Sequence, residues 1–300
     1  MPDNTPKIAI IGGSGLGQAL GAQADPQARQ HDLDTPFGKP SAPILEIDWE
    51  GTAVFLLQRH GIGHIHNPTA VPYRANIFAL KQLGVTHILA SGATGSLREH
   101  IHPGELVLVD QIIDKTTKRP NTFYEHAAVH VEFADPVCPV MRRWLLNAAT
   151  RLTADLKLHE TGTYICMEGP AFSTRAESEM HRAWGGDLIG MTAMPEAKLA
   201  REAEIAYALV AMPTDYDCWK PHDPNTPAQA LLEEIIGNLN QATAANIALM
   251  KEALRETSAL AEPSPAHSAL KLGIWSEKSK LDPAEVDRLS TLWGSRIYSS

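Results

Sequence analysis

The chain has 300 residues, 44% of them hydrophobic, which suits one large α/β domain or two small ones with a sizeable core. A formal net charge of -9, from 35 acidic residues against 26 Lys and Arg, lacks the basic excess that sequence-independent nucleic-acid binding needs, and otherwise implies only solubility. Cys138, Cys166 and Cys218 are far apart with no C-x-x-C spacing. Reduced, buried thiols in a cytoplasmic protein are therefore expected, rather than a disulfide framework or a metal knuckle. Met1-Pro-Asp-Asn-Thr-Pro-Lys7 has none of the regions of a signal peptide, and no apolar run approaches the ~18 residues that cross a bilayer, so no membrane association is expected.

In chain order, Lys7-Ile-Ala-Ile-Ile-Gly-Gly-Ser-Gly-Leu-Gly17 is an apolar strand entering a glycine-rich turn. Gln18 breaks the dinucleotide pattern G-x-G-x-x-G, and no Gly-Lys-Ser/Thr follows. Exposed backbone N–H groups and the Ser14 hydroxyl suit an oxyanion, although a plain tight turn fits equally well. Residues 18–50 read as loop plus an edge hairpin. Gly51-Thr-Ala-Val-Phe-Leu-Leu57 is a strand that delivers Arg59 and His60, a guanidinium fork and a second donor suited to phosphate. His60, His64 and His66 could be imagined around a metal, but two glycines break the helix that such spacing requires, so no metal is expected.

Val71 to Leu83 has helical periodicity and stops at Gly84. Thr86-His-Ile-Leu-Ala-Ser91 is a strand ending in Gly92-Ala-Thr-Gly-Ser-Leu97, and Glu105 to Asp110 is another. Arg142 to Leu158 reads as a helix, Thr161 to Met167 as a strand, Ala176 to Trp184 as a helix and Asp187 to Thr192 as a strand. Pro195 to Glu204 and Pro227 to Arg255 read as helices. Alternation of this kind predicts an α/β fold with a mostly parallel sheet. Residues 1–262 are read as one domain and 263–300 as a tail, with a short helix from Asp282 onward and with Trp275 and Trp293 able to pack on something.

The chain is organised around Met212-Pro-Thr-Asp-Tyr-Asp-Cys-Trp219, which follows the apolar strand Ile205–Ala211. If the extended conformation persists, Asp215 and Asp217 share one face. Ligands bind at the carboxyl ends of strands in open α/β sheets, and two carboxylates suit the N7 and amino edge of adenine. A strand end followed by an Asx turn accounts for the same spacing.

Several stretches together resemble the methylthioadenosine phosphorylase family, within the purine nucleoside phosphorylase superfamily. They are Ile11-Gly-Gly-Ser-Gly15, Arg59-His-Gly61, Tyr73-Arg-Ala-Asn-Ile77, Gly95-Ser-Leu-Arg-Glu99, Glu168-Gly-Pro170, Phe172-Ser-Thr-Arg-Ala-Glu-Ser178, Ile189-Gly-Met-Thr192 and Thr214-Asp-Tyr-Asp-Cys-Trp219. The similarity spans Lys7 to Arg255, and Asp-Tyr-Asp-Cys-Trp is its most specific piece, because relatives acting on 6-oxopurines carry Asn there. The resemblance implies a twisted, partly closed mixed β-sheet wrapped by helices, assembled as a homotrimer. It implies phosphate held by Ser14, Arg59, His60, the Gly92–Ala93 backbone and Thr192. It places Met191 against the ribose, Phe172 on the base, Tyr216 in the substrate site and Asp215 and Asp217 at N7 and N6. His130 would reach a neighbour's 5′ pocket, with Ser173 and Ala228 as specificity positions. Ala171 departs from the usual Arg, and Pro213 from the usual Ala or Thr, removing a ladder donor.

Such residues can run phosphorolysis of S-methyl-5′-thioadenosine without a cofactor, phosphate being co-substrate. Electrostatic stabilisation and positioning would do most of the work, with His60 and the two aspartates as the catalytic set. An aspartic acid in an apolar site can be protonated and so relieve the leaving purine at N7. A 6-oxopurine or methylthioinosine phosphorylase, and a nucleoside-binding protein without turnover, are the alternatives.

Overall fold

The computed structural model describes residues 5–13, 28–152, 156–221 and 223–297. The strand before the glycine-rich turn is β1 (Ile8–Gly12), with all five residues buried. A strand apolar on both faces belongs inside a covered sheet. Accordingly, β1 lies between β4 (Thr52–Gln58) and β5 (His87–Ser96), parallel to each. β3 (Ile44–Trp49) and β2 (Arg29–His31) continue the sheet antiparallel beyond β4. The β3–β4 hairpin turns at Glu50 and Gly51, whose φ values of 55° and 78° are those of a tight turn matching strand twist.

β5 is the fork of the sheet. Its first part runs parallel between β1 and β11 (Ala206–Asp215), while Gly95 and Ser96 pair antiparallel with β10 (Leu188–Gly190). From β10 the sheet continues to β9 (Thr163–Cys166) and β7 (Gln111–Asp114). On the other branch β11 carries β6 (Leu106–Leu108), which carries β8 (Leu158–His159). Among the described residues eleven strands form this mixed sheet, and the branches do not join into a closed barrel.

The helices that flank it are α1 (Tyr73–Gln82), α2 (Pro139–Ala149), α3 (Arg175–Ala183), α4 (Ala193–Glu202) and α5 (Ala228–Leu254). α3 starts at a capping box, with Thr174 Oγ1 accepting from Glu177 N–H and the Glu177 carboxylate accepting from Thr174 N–H. Short helices α6 (Pro283–Arg288) and α7 (Ser290–Trp293) follow, and Asp282 caps α6 as the expected helix start implies. Ala266, Leu270, Val286, Leu289, Leu292 and Trp293 belong to the same apolar core as β1 and β11. Trp275, in contrast, is exposed. No helix among the described residues is long and apolar enough to cross a membrane.

Several elements differ from the sequence reading, β5 among them, which runs past Ser91 through the glycines to Ser96. The helix expected over 142–158 is α2, which begins at Pro139, a residue preorganised for the first helical turn, and ends at Ala149 before the chain returns as β8. β7 was missed because it follows β6 almost without a break, and an apolar run does not reveal that two successive strands belong to different branches. β11 extends beyond Ala211 to Asp215. Pro213 is tolerated there because β6 pairs only with Val210 and Ala211, so the proline removes no hydrogen bond from that edge.

Candidate active site

The carboxyl ends of β1, β4 and β10 meet the middle of β5 at one point. A Cβ on Gly13 would lie 2.7 Å from Arg59 Nη1 and 3.1 Å from Ser91 O, and one on Gly92 would lie 3.5 Å from Thr192 Oγ1 and 3.8 Å from Arg59 Nη1. Glycine is therefore required at position 13 by close approach. Arg59, Gly92 and Thr192 are brought together as expected, with Gly13 as an addition, and Ala93 follows Gly92 on β5. Ser14 lies outside the described residues.

The Arg59 fork itself is turned away from this cradle. Nε and Nη2 donate to the two Glu196 oxygens at 2.7 and 3.0 Å, both side chains being 1% exposed, and Nη1 donates to Ser91 O at 2.8 Å. The expectation of a fork offered to phosphate is thus corrected. The carboxylate occupies the fork, and Nη1 alone faces Gly13 and Gly92. Burial works against the charge on Arg59 and Glu196 outweighs it, raising the guanidinium pKa and keeping it charged. Tyr207, on β11, also donates to Glu196 Oε1 at 2.9 Å.

His60 is nearly buried, and its Nδ1 is 2.8 Å from His66 O. The His60 and His64 rings stack at 4.2 Å. Burial, with Arg59 adding to it, pushes the imidazole down to about 4, so His60 is neutral at pH 7. Among the described residues no three His, Cys, Asp or Glu side chains are grouped to hold a metal ion.

A second constellation lies farther along β5. The extended conformation does not persist past Asp215, because Asp217 has φ 49° and its N–H donates to Asp215 Oδ1 at 2.7 Å. The Asx turn is therefore real, and it brings both aspartate side chains against Gly95. A Cβ there would lie 3.2 Å from Asp215 Oδ1, 3.2 Å from Asp217 Cβ and 2.9 Å from Ile189 Cγ2. Thr214 Oγ1 donates to Asp215 Oδ2 at 2.8 Å, while Asp217 Oδ2 is buried with no hydrogen-bond partner among the described residues. An acceptor in that condition calls for a donor. Beneath the pair, Leu97, Ile165 and Ile189 form a small apolar cluster against which Trp219 packs, its Nε1 donating to Ser96 O.

The other sequence candidates are less concentrated. Met191 precedes Thr192, and its Sδ would be 2.5 Å from a Cβ on Gly169. Cys218 Sγ donates to Ser173 O at 3.3 Å, which places the 168–174 loop beside the aspartate turn. Phe172 is 85% exposed on that loop. Tyr216 turns to His102, with its Oη 2.7 Å from Nδ1, and anchors its loop instead of meeting the carboxylates. His130 and Ala228 are exposed, and His130 packs edge-on against Trp275 at 4.7 Å. The sequence reading missed Glu196, Tyr207, Gly95 and Arg119. The one available signal was Glu196 itself, a lone carboxylate within the otherwise apolar Ala193-Met-Pro-Glu-Ala197.

Arg59, Gly92 and Thr192 thus meet at one point of β5, and Asp215 and Asp217 close on Gly95 farther along it, on a forked mixed sheet. The Phosphorylase superfamily profile matches residues 7–255, and the chain belongs to that family. An S-methyl-5′-thioadenosine phosphorylase of Thermosynechococcus vestitus is 46% identical over 291 residues, covering 96% of this chain and 98% of the relative. A methylthioadenosine phosphorylase from an antarctic soil metagenomic library superposes with TM-score 0.83 at 43% identity, covering 97% of this chain and 99% of that one. The Schistosoma mansoni methylthioadenosine phosphorylase in complex with adenine gives TM-score 0.79 at 34% identity, covering 90% of this chain and 99% of its own.

Proposed function

We infer that the protein catalyses phosphorolysis of S-methyl-5′-thioadenosine to adenine and 5-methylthioribose 1-phosphate, a purine- and methionine-salvage reaction. One observation carries this reading. The cradle abuts Gly92, and Asp215 Oδ1 and Asp217 Cβ abut Gly95, both glycines being on β5. Three residues of strand span about 10 Å, enough to lay a ribosyl group between an anion and a base. The relatives' activity points the same way.

In this reading phosphate sits against Arg59 Nη1, Thr192 Oγ1 and the Gly92–Ala93 backbone, with Ser14 and His60 completing the set. A phosphate oxygen forms a bond to C1′ as the glycosidic C–N bond breaks and its electron pair passes to the purine. Asp215 delivers a proton to N7, and phosphate takes the place of the base on the sugar. Asp217 Oδ2, without a partner among the described residues, takes the exocyclic amino donor. A 6-oxopurine would present an acceptor to it and be rejected. Met191 lies against the ribose, and Phe172 on its exposed loop stacks on the base. Ser173 and Ala228 bear on which substituent is accepted. Supply of His130 by a neighbour in a homotrimer fits its exposure within one chain. No cofactor beyond phosphate is invoked, and the three free thiols suit a cytoplasmic location.

The test is incubation with methylthioadenosine and methylthioinosine, each with and without phosphate. Adenine release only with phosphate supports the reading. Hypoxanthine release from the inosine analogue alone, or binding without turnover, contradicts it.

A further inference from the structure

Thr192 follows β10 directly and caps α4, and the backbone around it is irregular. Met194, with φ -117° and ψ 137°, interrupts the helical path two residues after Thr192. Buried carbonyls in this situation need donors from elsewhere. Arg119 supplies both, with Cys166 Sγ also donating to Met194 O at 3.8 Å. Arg119 Nη1 is 2.6 Å from Met191 O and 2.6 Å from Met194 O, the carbonyls on either side of Thr192, and 3.2 Å from Tyr73 Oη. The amide side of the same turn is held separately, with Tyr164 Oη 3.3 Å from Thr192 N and Cys166 Sγ 3.3 Å from Met194 N.

Arg119 is held in turn. Its side chain is 1% exposed, Nη2 donates to Glu168 O at 2.5 Å, and Nε donates to Glu168 Oε1 at 3.1 Å. Glu168 also accepts from Thr69 Oγ1 and from the Thr117 and Lys118 N–H groups. Burial works against the Glu168 charge, but these donors outweigh it and hold the carboxyl at about 2, so Glu168 stays ionised across neutral pH. Glu168 opens the loop that carries Phe172 and Ser173, so one guanidinium ties the Thr192 turn to the start of that loop.

We propose that Arg119 is a positioning residue for phosphate: by fixing the Met191 and Met194 carbonyls it sets where Thr192 stands against Gly92, and Glu168 orients Arg119 for that task. The planar fork is what the task requires, because a lysine ammonium is a point charge that cannot meet two carbonyls and the Glu168 groups together. The proposal rests on the phosphorolysis reading.

The experiment compares the full-length protein with Arg119→Ala, Arg119→Lys and Glu168→Gln, varying phosphate at saturating methylthioadenosine, below the unfolding temperature of each. The expected result is a phosphate KM raised about tenfold or more in both Arg119 variants, with a smaller change in nucleoside KM. Ethylguanidinium should restore kcat/KM to Arg119→Ala several-fold, and ethylammonium at the same concentration should not. Glu168→Gln should raise phosphate KM less than Arg119→Ala does. An unchanged phosphate KM in folded Arg119→Lys, with only Tm lowered, assigns Arg119 a purely structural role and overturns the proposal. Equal rescue by ethylammonium overturns it too. The phosphate-induced rise in Tm separates the two layers. If the unsubstituted protein shows that rise but no adenine release, the phosphorolysis reading fails, while loss of the rise in the Arg119 variants still supports the clamp.

Discussion

Both oxygens of Asp215 already hold a donor, Asp217 N–H on Oδ1 and Thr214 Oγ1 on Oδ2, whereas Asp217 Oδ2 holds none among the described residues. The two carboxylates are therefore not equivalent, and replacing them should have separable effects. In Asp215→Asn the amide oxygen can still accept from Asp217 N–H, and the amide nitrogen can face a reoriented Thr214 hydroxyl. The turn survives and the proton proposed for N7 is lost, so kcat for methylthioadenosine should fall about a hundredfold or more, the scale of general acid catalysis. Asp217→Asn instead places a donor where the exocyclic amino group is read. It should narrow the preference for methylthioadenosine over methylthioinosine, measured as a ratio of kcat/KM, by about tenfold or more. An unchanged ratio would remove Asp217 from base recognition. At the other end of the site, Glu196 balances a buried Arg59 and accepts from Tyr207. Glu196→Gln puts an amide N–H against the guanidinium and leaves the positive charge buried without a counter-ion. Urea unfolding should show a loss of about 3–5 kcal/mol, together with a weaker phosphate KM. Stability equal to that of the parent protein would show that this pair does not balance the charge.

β5 and β11 together carry both halves of the site, because a parallel pair brings the ends of two strands to the same edge of the sheet. The two glycines on β5 act differently. At Gly95 a side chain would collide with Ile189 Cγ2 at 2.9 Å, while at Gly92 its contacts of 3.5 and 3.8 Å are ordinary. Gly92→Ala should consequently change stability by less than about 1 kcal/mol while filling the cradle and raising phosphate KM about tenfold or more. A large drop in Tm with unchanged phosphate KM would mean that Gly92 is needed for packing alone. Much of this arrangement could be read from sequence. The runs before Arg59, Gly92 and Asp215 are apolar and turn polar or glycine-rich where those residues stand. Partner choice could not be read. The fork at β5 depends on which strand pairs with Gly95, and periodicity holds no information about neighbours. For the same reason Arg59 was legible as a donor but its commitment to Glu196, 137 residues later, was not.

Across the whole molecule, the segment after Pro263 completes the core. Trp293 is buried against Tyr124 at 4.7 Å, and His267 meets His87 edge-on at 5.1 Å. Burial, with His267 adding to it, holds His87 down at about 4. The unfolded chain would bind a proton near pH 6.5, so between pH 6.5 and 4 it takes up protons that the folded chain refuses. Stability from this group is complete above pH 6.5 and falls on acidification by up to about 1.4 kcal/mol per pH unit. His87→Gln should flatten the decline in Tm between pH 6.5 and 4.5, and an identical slope would place the acid sensitivity elsewhere. The proposed homotrimer predicts a light-scattering mass about three times the 32.6 kDa of the chain.

All of these elements serve one claim, that inorganic phosphate and the base of a nucleoside meet across β5. The most direct measurement is phosphorus NMR of the protein with methylthioadenosine and phosphate, with adenine quantified in the same sample. One phosphate should be consumed for each adenine released, with a sugar phosphate signal appearing in equal amount. Adenine released while the phosphate signal stays constant would mean that water is the nucleophile, and would contradict that claim.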